Sequence, residues 1–309
     1  MFAAIALAAT IFAQCASASP SSSPFDPWGS LPAWSKCADH GPISCQNTTV
    51  QADSCCYNYP GGLFLSTQLW YYTPDVGPKD VWTLHGLWPD NCDLTYSSSC
   101  DPSRNVYNVT EILKQAGEYE LLGYMNKFWL NNTGPNELLW EHEWNKHGTC
   151  ISTLEPSCFT TEEHSKSYEV IAYIKRIVGL YRGLPTYEFL ARQNIVPTTH
   201  HNYTLVQVQN ALLEATGFNA SVVCDTAGRI TQVYYNYEIQ GSLVDGKFHG
   251  TSRVRTLASI LMLLCLIPYQ YAYVPRVFHH RAAQHRSSMF PKGLLDLLNS
   301  VSWPLVSKS

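Results

Sequence analysis

The stretch Leu139-Trp140-Glu141-His142-Glu143-Trp144-Asn145-Lys146-His147-Gly148-Thr149-Cys150 is the most informative in the chain. Coiled as a helix at about 100° per residue, it puts His142, Lys146, Glu143 and His147 near roughly 0°, 40°, 100° and 140°. These four ionisable groups then share one face covering less than half of the helix, with Trp144 and Asn145 outside the arc. A solvated helix face is usually rich in Lys and Glu; this one is rich in His and bracketed by tryptophans, as expected of a reactive cluster. A merely polar helix face is the plain alternative.

Zinc is a second reading, because His-Glu followed by another His is the ligand pattern of helical zinc sites. Those ligands stand four residues apart so that they stack on one side. Here His142 and His147 are five apart with Lys146 between them, and a cation beside a cation is a poor arrangement. Lys146 points instead to an anionic ligand. The segment Trp82-Thr83-Leu84-His85-Gly86-Leu87-Trp88-Pro89-Asp90 supplies another histidine. A lone His in a strand is often only a hydrogen-bonded core residue, but Gly86 beside it permits close approach of a backbone or ligand. His85, His147 and Lys146 together are what metal-free phosphoryl transfer requires. One imidazole removes a proton, the other protonates the leaving oxygen, and the cation stabilises the phosphoryl charge. An ordinary pKa of about 6.5 lets one ring be neutral and the other charged at mildly acid pH.

Around these segments the pattern predicts strands at 63–72, 81–88 and 230–237, the second ending at the turn signal Pro89-Asp90-Asn91. Helices are expected from Thr110 through Tyr124 with a break near Gly117, from Glu163 to Leu180, and from Thr204 to Ala215 with Gly217 as C-cap. Strands and helices do not alternate strictly, so the fold class expected is α+β, an antiparallel sheet packed with several helices in a single disulfide-stapled domain.

The chain has 309 residues, 45% hydrophobic and only 14% charged, with a net charge of −4. That composition excludes wholesale disorder, a multi-pass membrane protein and a uniformly basic nucleic-acid binder. Residues 1–18 read as a secretory signal peptide, with Ala16-Ser17-Ala18 as cleavage chemistry. Residues 19–36 read as a flexible lead-in and 37–250 as the catalytic domain. Beyond Cys15 stand ten cysteines, an even number that in a secreted chain favours disulfides over metal binding. Five Asn-x-Ser/Thr sequons, at Asn47, Asn108, Asn131, Asn202 and Asn219, also suit an exported glycoprotein. Residues 251–309 form an atypical basic extension. Seven Lys or Arg against the one acid Asp296 give +6 there, beside −10 for residues 1–250. Its apolar run, 258–268, is too short to span a bilayer at about 20 residues.

Leu84-His85-Gly86-Leu87-Trp88-Pro89 and His142-Glu143-Trp144-Asn145-Lys146-His147-Gly148-Thr149-Cys150 closely resemble the two active-site segments of the ribonuclease T2 family, secreted acid endoribonucleases. The resemblance extends over roughly residues 37–238 and does not include the tail. It implies His147 as general base, His85 as general acid, Glu143 and Lys146 as transition-state stabilisers, and His142 as a phosphate holder. It also implies a base pocket of Trp88, Asp90 and Tyr96, and a second base subsite at Gln68 and Asn131-Asn132. By the same analogy the disulfides are Cys37–Cys56, Cys45–Cys92, Cys55–Cys158, Cys100–Cys150 and Cys224–Cys265. The activity so implied is metal-independent and cofactor-free cleavage of single-stranded RNA through its 2′-hydroxyl, with low base specificity. DNA would be inert and the enzyme a monomer, secreted or held in a vacuolar or lysosome-like compartment. A metallohydrolase built on His142 and His147, and a non-catalytic secreted binder on the same fold, remain the rival readings.

Overall fold

A computed structural model describes residues 37, 41–46, 54–71, 77–198 and 200–253. The proposed signal peptide, the lead-in, Asn47, Cys265 and the extension beyond residue 253 lie outside them. All of the described residues belong to one folded unit.

Five antiparallel strands form one sheet: β1 (Leu63–Leu69), β2 (Thr83–Asp90), β3 (Ala220–Cys224), β4 (Ile230–Gln240) and β5 (Lys247–Gly250), in the order β2-β1-β4-β3 with β5 also on β4. The central strand β1 is buried along nearly its whole length, which is why its sequence is an apolar and small-residue run rather than an alternating one. A bulge between Thr67 and Gln68 breaks its register with β2 and re-aims the side chains on either side. Strand β2 does not stop at the Pro89-Asp90 turn signal. Asp90 still pairs with Leu63 and then forms a bridge with Tyr96, so the turn lies beyond it. A proline is tolerated there because β2 is the edge strand.

Seven helices of the described residues pack on this sheet: α1 (Val109–Gln115), α2 (Tyr119–Phe128), α3 (Asn136–Lys146), α4 (Thr161–Ser165), α5 (Tyr168–Arg182), α6 (Thr186–Arg192) and α7 (Leu205–Thr216). Gly117, with φ of 76°, separates α1 from α2. Thr204 and Gln207 close a reciprocal capping box on α7. The single helix expected over 163–180 is in fact two. Thr160 and Glu163 cap the short α4, the chain turns at Ser167 in a left-handed conformation, and α5 begins afresh. The periodicity of Ile171, Ile174 and Val178 belongs to α5 alone, and these side chains are buried against the sheet.

Helix α5 is the main support of the sheet. The Tyr173 hydroxyl lies 2.9 Å from the Leu87 carbonyl of β2 and 3.2 Å from the Glu143 carbonyl of α3, so one side chain ties strand and helix together. The Lys175 ammonium meets Glu118, just before α2, at 2.6 Å. Arg104, buried, spans the carbonyls of Thr149 and Leu154 and the Glu155 carboxylate. Its own carbonyl accepts from the Trp144 indole at 2.8 Å.

Four disulfides lie within the described residues: Cys37–Cys56, Cys45–Cys92, Cys55–Cys158 and Cys100–Cys150. The turn-rich segment 41–46 reaches the sheet through a bridge between Ile43 and Gln240. The Cys100–Cys150 link follows directly on α3 and closes 50 residues of chain. On loop entropy alone, removing it costs about 4 kcal/mol. A Cys100→Ser/Cys150→Ser protein should therefore show a clearly lower urea midpoint than the parent; an unchanged midpoint would refute a stabilising role.

Candidate active site

Strand β2 contributes His85, Trp88 and Asp90. Helix α3 contributes His142, Glu143 and Lys146. His147 stands one residue past the end of α3, at the junction to a 3₁₀ turn, Gly148–Cys150, and keeps a helical backbone whose N–H donates to the Glu143 carbonyl at 3.0 Å. Three bonds use the groups left open at that end. The Ser99 amide donates to the Lys146 carbonyl at 2.8 Å, Thr149 Oγ1 donates to the Asn145 carbonyl at 2.9 Å, and Arg104 holds the Thr149 carbonyl. Asn145 also binds both the N–H and the C=O of Val106, at 2.8 and 2.9 Å. His147 is thus oriented by a fixed backbone.

The four ionisable groups do not share one solvated face. His142 is exposed, whereas Glu143 has no exposed surface. The Glu143 carboxyl sits directly over Gly86, where any Cβ would overlap it. Its Oε2 accepts from the Trp88 indole N–H at 2.9 Å, and its Oε1 lies 3.5 Å from His85 Nε2. Trp88 is a wedge between the two histidines. Its ring stacks on His147 at 5.1 Å and 18°, and meets His85 edge-on, also at 5.1 Å. Trp129, which the sequence reading passed over, donates its indole N–H to the His85 carbonyl at 2.8 Å and so fixes that point of β2. Nothing in the spacing of Trp129 distinguishes it from an ordinary core tryptophan.

Burial sets the protonation states here. It lowers His85 to about 4, helped by the positive charges of His142 and Lys146. It lowers His147 further, to about 2, with Lys146, His142 and His85 adding to the effect. It raises Glu143 to about 8 against the opposing pull of the Trp88 hydrogen bond and Lys146. In the ligand-free protein burial thus favours the neutral form of both rings and of the Glu143 carboxyl. An anion bound among them reverses part of this, since an opposite charge within about 4–6 Å favours the protonated imidazole by about 1–3 units. His85 starts nearer to protonation than His147.

Asp90 is buried and Tyr96, bridged to it, is 58% exposed. The chain thus brings an acid and an open phenol ring together beside Trp88. One face of Trp88 is occupied by His147, so a base would meet the remaining, partly exposed surface of the ring. Gln68 is not available to a ligand. It is 1% exposed, donates to the Leu184 carbonyl at 3.0 Å and accepts from Thr186 at 2.7 Å. The amide of Asn131 donates to the Pro135 carbonyl at 3.1 Å in an exposed turn. Gln68 therefore takes no part in a second base subsite, while Asn132 is exposed. One ligand atom each from His142, Glu143 and His147 fall within 4.8 Å of one another, close enough for a divalent ion, although Lys146 adjoins them.

Two outcomes follow from the buried carboxyl. Gly86→Ala must displace Glu143, and overpacking at a fully enclosed site costs about 1–3 kcal/mol; a variant as stable and as active as the parent would contradict the packing described. The second concerns pH. Glu143 holds its proton in the folded chain up to about 8 but loses it near 4.5 when unfolded, so its contribution to stability falls as pH rises from about 4.5 to 8. The lowered histidines act oppositely, removing stability as pH falls below about 6.5. Glu143→Gln should therefore gain melting temperature relative to the parent between pH 5 and 8, and a constant difference across that range would refute the raised value.

The sequence matches the family model described as Ribonuclease T2 family over residues 42–247. It is 44% identical to a protein named Ribonuclease T2 from Aspergillus oryzae over 220 residues, which cover 71% of this chain and 79% of that one. It is 42% identical to Ribonuclease Trv of Hypocrea rufa, covering 69% of this chain and 89% of that protein. Among solved structures it is similar to Actibind, described as a T2 ribonuclease, with 43% identity and a TM-score of 0.64 over 69% of this chain and 89% of the other. A match across two thirds of the sequence, with the β2 and α3 segments inside it, places the chain in the ribonuclease T2 family.

Proposed function

We propose that His147 and His85 are the base and acid with which this chain cuts single-stranded RNA. The observation that carries this reading is the pair of imidazoles held at 5.1 Å from the Trp88 ring, one stacked and one edge-on, beside Lys146 and the buried Glu143. His147, with the lower pKa, is neutral and takes the proton of the ribose 2′-hydroxyl. The 2′-oxygen forms its bond to phosphorus as the bond from phosphorus to the 5′-oxygen breaks. His85, protonated under the influence of the phosphodiester charge, gives its proton to that 5′-oxygen. The product is a 2′,3′-cyclic phosphate, which water opens to a 3′-phosphate with the two roles exchanged.

Lys146 and His142 supply positive charge where the phosphoryl oxygens gain negative charge. Glu143 is enclosed and holds His85 and Trp88 in place; as a neutral acid at mildly acid pH it adds no repulsion to the phosphate. Asp90 and Tyr96, with the remaining surface of Trp88, receive the base. Aromatic stacking of that kind is tolerant of sequence, which fits low base specificity. DNA lacks the 2′-hydroxyl and is inert. The chain acts as a secreted monomeric glycoprotein, with residues 1–18 removed and sequons at Asn47, Asn108, Asn131, Asn202 and Asn219. Cys265 is the partner of Cys224. No helix of the described residues is long and apolar enough to cross a membrane.

The test is cleavage of a short RNA and its DNA twin at mildly acid pH in excess EDTA, with end groups read by mass. RNA alone should be cut, to cyclic phosphates. His85→Ala and His147→Ala should each lower the rate by at least about 10²-fold, the lower range for losing an acid or base, and keep a cooperative melting transition. Wild-type rates in either variant would refute the assignment. Cleavage that vanishes in EDTA and returns with zinc would favour the site of His142, Glu143 and His147 as a metal centre.

A further inference from the structure

Away from the histidines, the junction of α6 and α7 forms a half-open cleft of about 460 Å³, within the range of about 300–1,000 Å³ typical of small-ligand sites. Gln193 and Asn194 line it from the end of α6, Gln207, Asn210 and Glu214 from one stripe of α7, and Asn202 from the connecting loop. The wall carrying Asn202 is fixed. The Tyr203 hydroxyl accepts from the Val196 amide and lies 3.1 Å from the carbonyls of Asn194 and Val196. The His201 ring packs edge-on against Tyr203 at 4.8 Å. Asn202, between these two residues in the chain, is exposed at the cleft.

The chemistry of the lining is selective. No Lys or Arg is among the residues that form it, and its one acidic group is Glu214. A nucleic-acid strand needs cations along its phosphates, and this cleft offers the opposite charge. Side-chain amides donate and accept in pairs, which suits a neutral ligand rich in hydroxyl and acetamide groups. The residue on the wall, Asn202, begins the sequon Asn202-Tyr203-Thr204. An N-linked glycan attached there brings such a ligand to the cleft covalently, and tethering converts weak sugar contacts into effective ones by raising the local concentration to about millimolar.

We infer that the inner sugars of an N-glycan on Asn202 fold back into the amide-lined cleft between α6 and α7, so that this glycan is a packed part of the fold rather than a solvated appendage. The inference rests on the secretory reading given above. Its consequence is an added tie between two helices that flank the sheet.

The experiment uses the full chain secreted from a eukaryotic host. Site-specific glycopeptide mass spectrometry should find Asn202 occupied. Peptide N-glycosidase added to the folded protein should release that glycan at least tenfold more slowly than the glycans of the other occupied sequons, and the difference should vanish after denaturation. Gln193→Ala/Asn210→Ala should abolish the delay with RNA cleavage unchanged. An empty Asn202 beside filled sequons, equal release rates, or a delay that survives the double substitution would each overturn the inference. Absence of glycan from every sequon would also overturn the inference, whereas failure of the chain to leave the host cell would overturn the secretory reading itself, and the two results are distinct.

Discussion

The carboxyl group of Glu143 sits where α3 meets β2, with no surface open to solvent, and the rest of the site is arranged about that fact. Removing an ionised carboxylate from solvent costs several kcal/mol, so the group stays protonated well above its ordinary range. A neutral carboxyl can then lie against the bare Cα of Gly86 and accept the Trp88 N–H. Tyr173, beneath, takes hold of both backbones at Leu87 and Glu143. The separation of the two elements, and through it the separation of the two histidines, is set by atoms that never face a substrate.

The same geometry differentiates two chemically identical side chains. His85 leaves β2 beside the enclosed carboxyl, whereas His147 leaves the chain after α3 has ended and lies flat on Trp88. His147 also experiences Lys146, His142 and His85 together. Two imidazoles in unlike environments titrate apart, and unlike affinities for a proton are what an acid and a base must have. Trp88 is the element common to both, which gives it a positioning role at least as definite as any contact with a nucleobase.

Much of this was legible in the residues. The apolar runs at β1 and β2, the breaks at Gly117 and Gly217, and the juxtaposition of a His-Gly strand with a His-rich helix are all written in local patterns. What escaped depends on contacts distant in sequence. Helical phase grouped Glu143 with the histidines, but only the arrival of Gly86 and Trp88 from β2 encloses it. Gln68 looked like a free amide until Leu184 and Thr186 came to it from more than a hundred residues away. The split at Ser167 lies just ahead of the apolar stripe of α5, where the sequence carries no signal of a left-handed residue. Strands β3 and β5 are short, and their pairing with β4, not their composition, makes them strands.

The strand order carries a consequence for how the chain is made. Strand β1 is flanked by β2, which follows it closely, and by β4, whose register couples Leu63 to Glu238 and Leu69 to Gln232. During synthesis β1 therefore keeps one open hydrogen-bonding edge until some 170 further residues have been added, a separation taken from that register. Pairing between such distant segments is slow, and an unpaired apolar edge invites association with other chains. The crosslinks Cys37–Cys56 and Cys45–Cys92 involve only residues already present in that interval. They are available to confine the early strands while the partner that completes the sheet is still being made.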